Sequence, residues 1–183
     1  MDAIEPDHAE LDADAEYEGD LAQELCRMAE EDHAAAHLAN SADFTDQLAW
    51  RRIAAQHGDR LLQILQEHGW PTASRVGPDA SRAAWLLAQH ADRQLEVQRL
   101  ALRLLDEAVG QGEAPLDQLA FLYDRTRVNE GREQLYGTQI AGVDASGAPI
   151  PWPCEDPERM DERRVEVGIE PFGVYTARFG TSG

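Results

Sequence analysis

The sequence of 183 residues contains 35 acidic and 16 basic residues, which gives a formal net charge of −19. This length is typical of one domain with a sizeable core. The excess of acidic residues argues against binding to nucleic acid or to an anionic membrane surface, because both need a basic protein face. All basic residues are arginine, so Schiff-base chemistry on a lysine is excluded. No apolar run approaches the roughly 20 residues that span a bilayer.

The negative charge is concentrated at the start of the chain, where residues 1–43 hold 14 acidic residues and one arginine. Residues 1–17 show no hydrophobic period, and we expect them to form a disordered acidic arm. This segment also lacks the apolar stretch of a secretory signal, so we expect a cytoplasmic protein. We predict that residues 18–179 form a single helical domain and that residues 180–183 fray.

Apolar residues recurring at three- and four-residue spacings predict an all-α fold with a bundle of five to six helices. The predicted helices begin near residue 20, after residue 43, at Pro78, near residue 95 and at Pro115. Gly58 is expected to interrupt or kink the second of them. The helix that starts near residue 95 is apolar over much of its circumference, which favours a central position in the bundle.

After Tyr136 the pattern changes from helical to extended. Two short segments flank a turn at residues 144–147, so we predict one small β-hairpin near residues 137–152. A hairpin of this size is marginal by itself and must pack on the helices. A proline after Asp156 predicts one more short helix, which Gly168 ends.

The densest group of chemically capable side chains lies between Phe121 and Gln139, where a helix gives way to the extended segment. Rigid elements that carry a loop commonly position functional groups in this way. We therefore expect the functional site to include this segment.

Several short motifs occur in a fixed order along the chain: HGWP at 68–71, AWLLAQHAD at 84–92, YDR at 123–125, QLYGTQ at 134–139, CEDP at 154–157 and RRVEVG at 163–168. Because of these motifs and their order, residues 20–175 resemble the bacterial family called domain of unknown function 6624. The resemblance implies a mostly helical domain, and no reaction is attached to the family. Its recurrent polar set falls here on Asp32, His90, Asp124, Arg125, Gln134, Tyr136 and Gln139. The family usually carries other residues where this chain has His33 and His37.

His90 lies at the predicted end of a helix, after an apolar stripe. It could cap that helix end as a cation, or it could act as a general acid/base oriented by a carboxylate of Asp92, Asp124 or Asp32. We expect His90 to face the side chains of residues 124–139. The predicted catalytic residues are His90, Asp124 and Tyr136, and the predicted substrate-binding residues are Arg125, Gln134, Gln139 and Asp32.

His33 and His37 lie one helical turn apart, a spacing that can hold a metal ion from one helix face. The sequence HAAAH lacks the glutamate of a metalloprotease motif. We therefore predict no metal, and a metal-dependent enzyme that uses this pair is the weaker alternative.

These residues lead to two main hypotheses of function. The first is a small bacterial enzyme without a cofactor, in which a His/Asp acid–base pair acts on a small polar metabolite, neutral or cationic. Hydrolysis or proton transfer in a specialised biosynthetic pathway fits such a set, and the sequence contains no phosphate loop or dinucleotide fingerprint. The second is an acidic binding protein without catalysis, for example an immunity-type or regulatory partner of a basic protein, which the N-terminal arm would steer. The sequence does not predict the oligomeric state.

Overall fold

A computed structural model describes the backbone of residues 8–145 and 147–178, and the side chains within these ranges from residue 19 onward. These residues form eight α-helices and one two-stranded sheet. The α-helices are His8–Ala35 (α1), Phe44–His68 (α2), Ala73–Val76 (α3), Pro78–His90 (α4), Leu95–Gly110 (α5), Leu116–Asn129 (α6), Met160–Glu166 (α7) and Phe172–Ala177 (α8). The strands are Ile140–Val143 (β1) and Pro149–Pro151 (β2), and 3₁₀ helices occupy Ala36–Asn40 and Pro157–Arg159. The prediction of a mainly helical fold with one hairpin is confirmed.

The hydrophobic core lies where α1, α2, α4 and α5 meet. Its fully buried side chains include Leu25, Leu61, Ile64, Leu87, Val97 and Leu105. Trp70, from the loop after α2, belongs to this core and is only 4% exposed. The α4 helix packs against α1, α2, α5 and α6, so it is the central helix instead of α5. The physical reason is its row of buried alanines, since small side chains let neighbouring helices approach on several sides.

The α1 helix begins at His8, well before the predicted start near residue 20. Residues 8–17, which we expected to be disordered, are therefore helical, while residues 1–7 and the tail 180–183 lie outside the described residues. The segment is rich in Ala, Glu and Asp. Alanine and glutamate favour helix, and acidic side chains are favourable near a helix N-terminus, which explains the earlier start.

The α2 helix runs through Gly58 as one continuous helix of 25 residues, so the predicted interruption does not occur. Asp43 caps its start by accepting a hydrogen bond of 2.7 Å from the Thr45 N–H. At Gly58 an added Cβ would lie 1.9 Å from Gln94 Oε1, so the glycine gives room for the residue that precedes α5. Gln94 in turn donates a hydrogen bond of 2.6 Å to Asp59.

No helix in the described part of the chain is both long and apolar enough to cross a bilayer.

The β1 and β2 strands pair in antiparallel fashion within the predicted hairpin range. Ile140 lies opposite Pro151 and Val143 opposite Pro149, with an irregular register between Ile140 and Gly142. The first strand continues directly from the loop 130–139 that follows α6. The position of this loop therefore decides where the hairpin sits.

Two arginines of α7 form hydrogen bonds with the backbone of the loop after α6. Arg164 is fully buried, and it donates hydrogen bonds of 2.5 Å to the Tyr136 carbonyl and 2.6 Å to the Glu170 carbonyl. Arg163 donates a hydrogen bond of 2.9 Å to the Leu135 carbonyl. The C-terminal helices thus fix the backbone of the segment that the sequence analysis singled out.

Candidate functional site

His90 ends α4 and pairs with Asp32 of α1, with 2.5 Å between His90 Nδ1 and Asp32 Oδ2. Because a carboxylate accepts hydrogen bonds, this contact places the imidazole proton on Nδ1. Asp32 is fully buried, whereas the His90 side chain is 30% exposed. The other oxygen, Asp32 Oδ1, has no hydrogen-bond partner within the described residues, so the carboxylate relies on His90. A histidine held at one nitrogen by a buried carboxylate is suited to exchange a proton at the other.

The exposed side of His90 opens into a cleft of about 260 Å³, which we call the His90 cleft. Trp50 forms a wall, and its ring meets the His90 ring edge to face with centroids 5.7 Å apart. Arg51 and Arg93 also line the cleft, both are exposed, and neither forms an ion pair within the described residues. The lining consists of Ala39, Trp50, Arg51, Ala54, Ala55, His90, Ala91, Asp92, Arg93 and Gln94.

Asp92 links the His90 cleft to α6 and the loop behind it. Arg125 donates two hydrogen bonds to the Asp92 carboxylate, at 2.7 and 2.6 Å, and a third of 2.8 Å to Gln139 Oε1. Asn129 donates another of 2.8 Å to Asp92. Burial alone would raise the pKa of Asp92, but the hydrogen bonds and charge of Arg125 hold it below its ordinary value. The segment 124–139 thus reaches the wall beside His90 through Asp92.

Asp124 is fully buried beneath the loop after α6 and does not pair with His90. Its carboxylate accepts hydrogen bonds from the backbone N–H groups of Leu135 (2.8 Å), Tyr136 (3.1 Å) and Thr138 (3.0 Å), and from the Thr138 hydroxyl (3.0 Å). Burial raises the pKa of Asp124, and these donors act in the opposite direction. Both carboxylate oxygens are engaged in fixing the loop.

Gln134 and Gln139 bind the loop to the hairpin. The Gln134 amide donates hydrogen bonds to the carbonyls of Gln139 (3.0 Å) and Trp152 (2.8 Å), and its oxygen accepts from the Gln139 N–H (2.9 Å). Gln139 accepts from Arg125 and donates a hydrogen bond of 3.0 Å to the Thr138 hydroxyl. Both side chains are buried, and their described contacts are with the protein itself.

Tyr136 lines a different and larger cleft of about 630 Å³ between α5 and α6, which we call the tyrosine cleft. Its ring meets that of Tyr123 edge to face, with centroids 6.3 Å apart. Burial raises the pKa of Tyr136, and the nearby Asp124 raises it further, so the hydroxyl is neutral near pH 7. The two clefts share no lining residue.

Of the predicted set, the structure brings Asp32 and His90 together, and it brings Arg125 to the neighbouring Asp92, with Gln139 bound to Arg125. Asp124 and Gln134 lie beneath the loop, and Tyr136 lines the second cleft. Sequence reasoning missed Trp50, Arg51 and Arg93. Trp50 and Arg51 lie on α2 and Arg93 lies in the turn between α4 and α5, and an aromatic or basic residue at such positions is too common to mark a site.

His33 and His37 are both exposed. His37 Nδ1 donates a hydrogen bond of 2.9 Å to the Ala34 carbonyl. The described part of the chain contains no group of three or more His, Cys, Asp and Glu side chains that could hold a metal ion. Within the described residues, His33 and His37 therefore have no third protein ligand to complete a metal site.

Comparison with known proteins identifies a family. Neither the curated proteins nor the solved structures include one with significant similarity to this chain. A family model, described as a family of unknown function, matches residues 19–180. This span includes every residue of both clefts. Because the match covers most of the sequence, the chain belongs to the family of unknown function DUF6624.

Proposed function

We propose that the protein is a small acid–base enzyme in which His90 and Asp32 act on a small polar metabolite. The observation that supports this proposal most is the 2.5 Å contact between a fully buried carboxylate and a partly exposed imidazole. The same imidazole borders the His90 cleft. Buried carboxylates orient the histidine in many acid–base sites.

The proposed chemistry needs only the His90 ring and its partner. His90 Nε2 takes a proton from the substrate or from an attacking water, and the ring becomes an imidazolium. Asp32 stabilises that cation through Nδ1–H. The same proton then moves from Nε2 to the leaving group or to another substrate atom, which restores the neutral ring. Hydrolysis and proton transfer both follow this sequence, and neither requires an organic cofactor.

The charges around the His90 cleft favour a substrate with an anionic group, which differs from the neutral or cationic metabolite expected from the sequence. Arg51 and Arg93 line the cleft without an ion-pair partner in the described part of the chain. The carboxylate of Asp92 is neutralised by two hydrogen bonds from Arg125, so it repels an anion less. Trp50 offers an apolar surface for the rest of the molecule. Arginine binds carboxylate and phosphate groups through paired hydrogen bonds.

The other predicted residues receive supporting roles in this proposal. Arg125, which donates a hydrogen bond to Gln139, positions Asp92, while Asp124 and Gln134 hold the loop that carries Gln139. Neither Asp124 nor Tyr136 has a described hydrogen bond with His90 or Asp32, so the proposed chemistry assigns them no step. The catalytic roles predicted for them from the sequence stay predictions.

A reaction screen in deuterated water tests the proposal without a known substrate. Wild-type protein is incubated with a panel of small carboxylates and phosphate monoesters, and proton NMR follows deuterium incorporation and new products. We expect His90→Gln to lower any such rate by at least about 100-fold, the usual contribution of a general acid or base. Arg51→Gln should raise KM more than it lowers kcat.

The matched control is His37→Gln, which removes an exposed histidine outside the His90 cleft. It should keep the wild-type rate. Activity that survives in His90→Gln, or that is lost equally in His37→Gln, would contradict the proposal.

The concentration of 14 acidic residues within residues 1–43 favours a second candidate function, an acidic binding protein that recognises a basic protein. Deletion of residues 1–17 tests it. If this segment steers association, the deleted chain should bind a basic protein such as lysozyme or a histone with a lower association rate than the full chain. The association rate of the deleted chain should also depend less on salt concentration. If the deletion changes neither, this second candidate loses its support.

A further inference from the structure

The tyrosine cleft has the size and the walls of a small-molecule site. Its volume of about 630 Å³ falls within the range of about 300–1,000 Å³ that is usual for such sites. Leu102, Leu119 and Ala120 supply apolar surface from α5 and α6. The edge-to-face rings of Tyr123 and Tyr136 supply an aromatic wall. A flat or flexible apolar group can pack between these surfaces.

The rim of the cleft leaves apolar surface open to solvent. Leu116, the first residue of α6, lines the cleft and is 43% exposed. The Tyr136 hydroxyl is neutral near pH 7, and it forms no hydrogen bond within the described residues. The cleft therefore offers an unfilled apolar edge and one free hydroxyl group to a bound molecule.

The mouth of the cleft is basic, although the chain carries a net charge of −19. Arg99 lies 2.7 Å from one oxygen of Glu130, and Arg132 lies 3.2 Å from the other, so two guanidinium groups share one carboxylate. The full charged lining consists of Arg99, Arg103, Asp106, Arg127, Glu130 and Arg132. Arg103 and Arg127 pair with the carboxylates of Glu107 and Glu155, which lie outside the lining. Within the lining, the four arginines outnumber the carboxylates of Asp106 and Glu130, and Arg99 and Arg132 share the single carboxylate of Glu130.

We propose that the tyrosine cleft binds a small amphipathic carboxylate. The carboxylate joins Glu130 between Arg99 and Arg132, whose guanidinium groups have donors that one glutamate cannot saturate. The apolar body of the ligand lies between the leucines and the tyrosine rings. This site is separate from the His90 cleft, and its occupancy does not depend on the proposed acid–base reaction.

Direct binding of defined probes to the full chain tests this inference. Saturation-transfer NMR and calorimetry are run with 3-phenylpropanoate, hexanoate and the neutral 3-phenylpropanamide. We expect both carboxylates to bind, and the amide to bind about tenfold more weakly, because it loses charge-assisted hydrogen bonds to arginine.

A matched pair of variants at Leu116 locates the binding. Leu116→Glu places a negative charge at the rim, and the fold tolerates it because an acidic residue is favourable in the first turn of α6. We expect it to weaken binding of 3-phenylpropanoate about tenfold more than the neutral Leu116→Gln does. Arg132→Gln should also weaken binding, whereas the control Arg159→Gln, an exposed arginine paired with Glu162, should not.

The inference is overturned if the carboxylate and the amide bind equally, if no probe binds at millimolar concentration, or if Leu116→Glu and Arg132→Gln leave binding unchanged. His90→Gln should leave probe binding at the wild-type level. A loss of binding in that variant would place the probe in the His90 cleft and would also overturn the inference.

Discussion

Replacing Asp124 with asparagine keeps the shape of the side chain but removes one acceptor beneath the loop after α6. If the asparagine oxygen occupies the position of Oδ2, it keeps the contacts with Tyr136 and Thr138. The amide nitrogen then faces the N–H of Leu135, which lies 2.8 Å away in the wild type. A buried N–H without an acceptor costs about 1–3 kcal/mol. Burial raises the pKa of Asp124, so the loss of charge-assisted bonding is offset in part by relief from desolvation.

We therefore expect Asp124→Asn to lower the free energy of unfolding by about 1–3 kcal/mol. Urea denaturation followed by circular dichroism measures this change, and a thermal scan should show a decrease of ~2–4 °C in Tm per kcal/mol for a chain of this size. The control is Asp117→Asn, since Asp117 lies exposed in the first turn of α6. A loss below about 0.5 kcal/mol, the usual effect of a surface substitution, would refute the idea that Asp124 fixes the loop.

Three further predictions concern stability. The pKa of Asp92 is lower in the folded than in the unfolded chain. The contribution of Asp92 to the free energy of unfolding is therefore full at neutral pH and is lost as the pH falls through the folded pKa. In urea titrations at several pH values, Asp92→Asn should make the free energy of unfolding depend less on acid pH. Gly137 has φ of 64°, and an added Cβ would lie 2.4 Å from Met160 Sδ, so Gly137→Ala should destabilise the fold by about 2–4 kcal/mol. The control Gly131→Ala, at a position with φ of 72° and no atom near the added Cβ, should destabilise it by about 1 kcal/mol. Equal losses of the free energy of unfolding in urea would contradict this difference. Arg164→Lys should lower the free energy of unfolding by about 2 kcal/mol, because an ammonium lacks the planar guanidinium that reaches the carbonyls of Tyr136 and Glu170. Wild-type stability of this variant in urea would contradict a stabilising role for these two hydrogen bonds.

The helical fold could be predicted because several of the long helices carry their own boundary signals, although the start of α1 at His8 was not among them. Pro78 opens α4, Gly69 with φ of 71° ends α2, and Pro115 directly precedes α6. Two features depended on tertiary structure instead. Gly58 does not break α2, because the glycine accommodates Gln94 from a distant part of the chain. The central position of α4 follows from how its neighbours pack, which hydrophobic periodicity within one helix does not encode.

The candidate site could be predicted only in part. The pairing of His90 with Asp32 was among the alternatives that the sequence left open, but nothing in the local pattern distinguishes Asp32 from Asp92 or Asp124 as its partner. That choice depends on how α1 packs against α4. The separation of Tyr136 from His90 also depends on tertiary contacts, since the backbone of Tyr136 is bound by Asp124 and Arg164.

The most direct test of the central claim is the protonation of the His90 ring. A long-range ¹H–¹⁵N correlation spectrum, assigned by comparison with His90→Gln, identifies which ring nitrogen carries the proton at a pH where the ring is neutral. The Asp32 contact predicts the proton on Nδ1, with Nε2 available as the base, and a loss of this preference in Asp32→Asn. A neutral ring protonated on Nε2 in the wild type would contradict the account of His90 as an acid–base group oriented by Asp32.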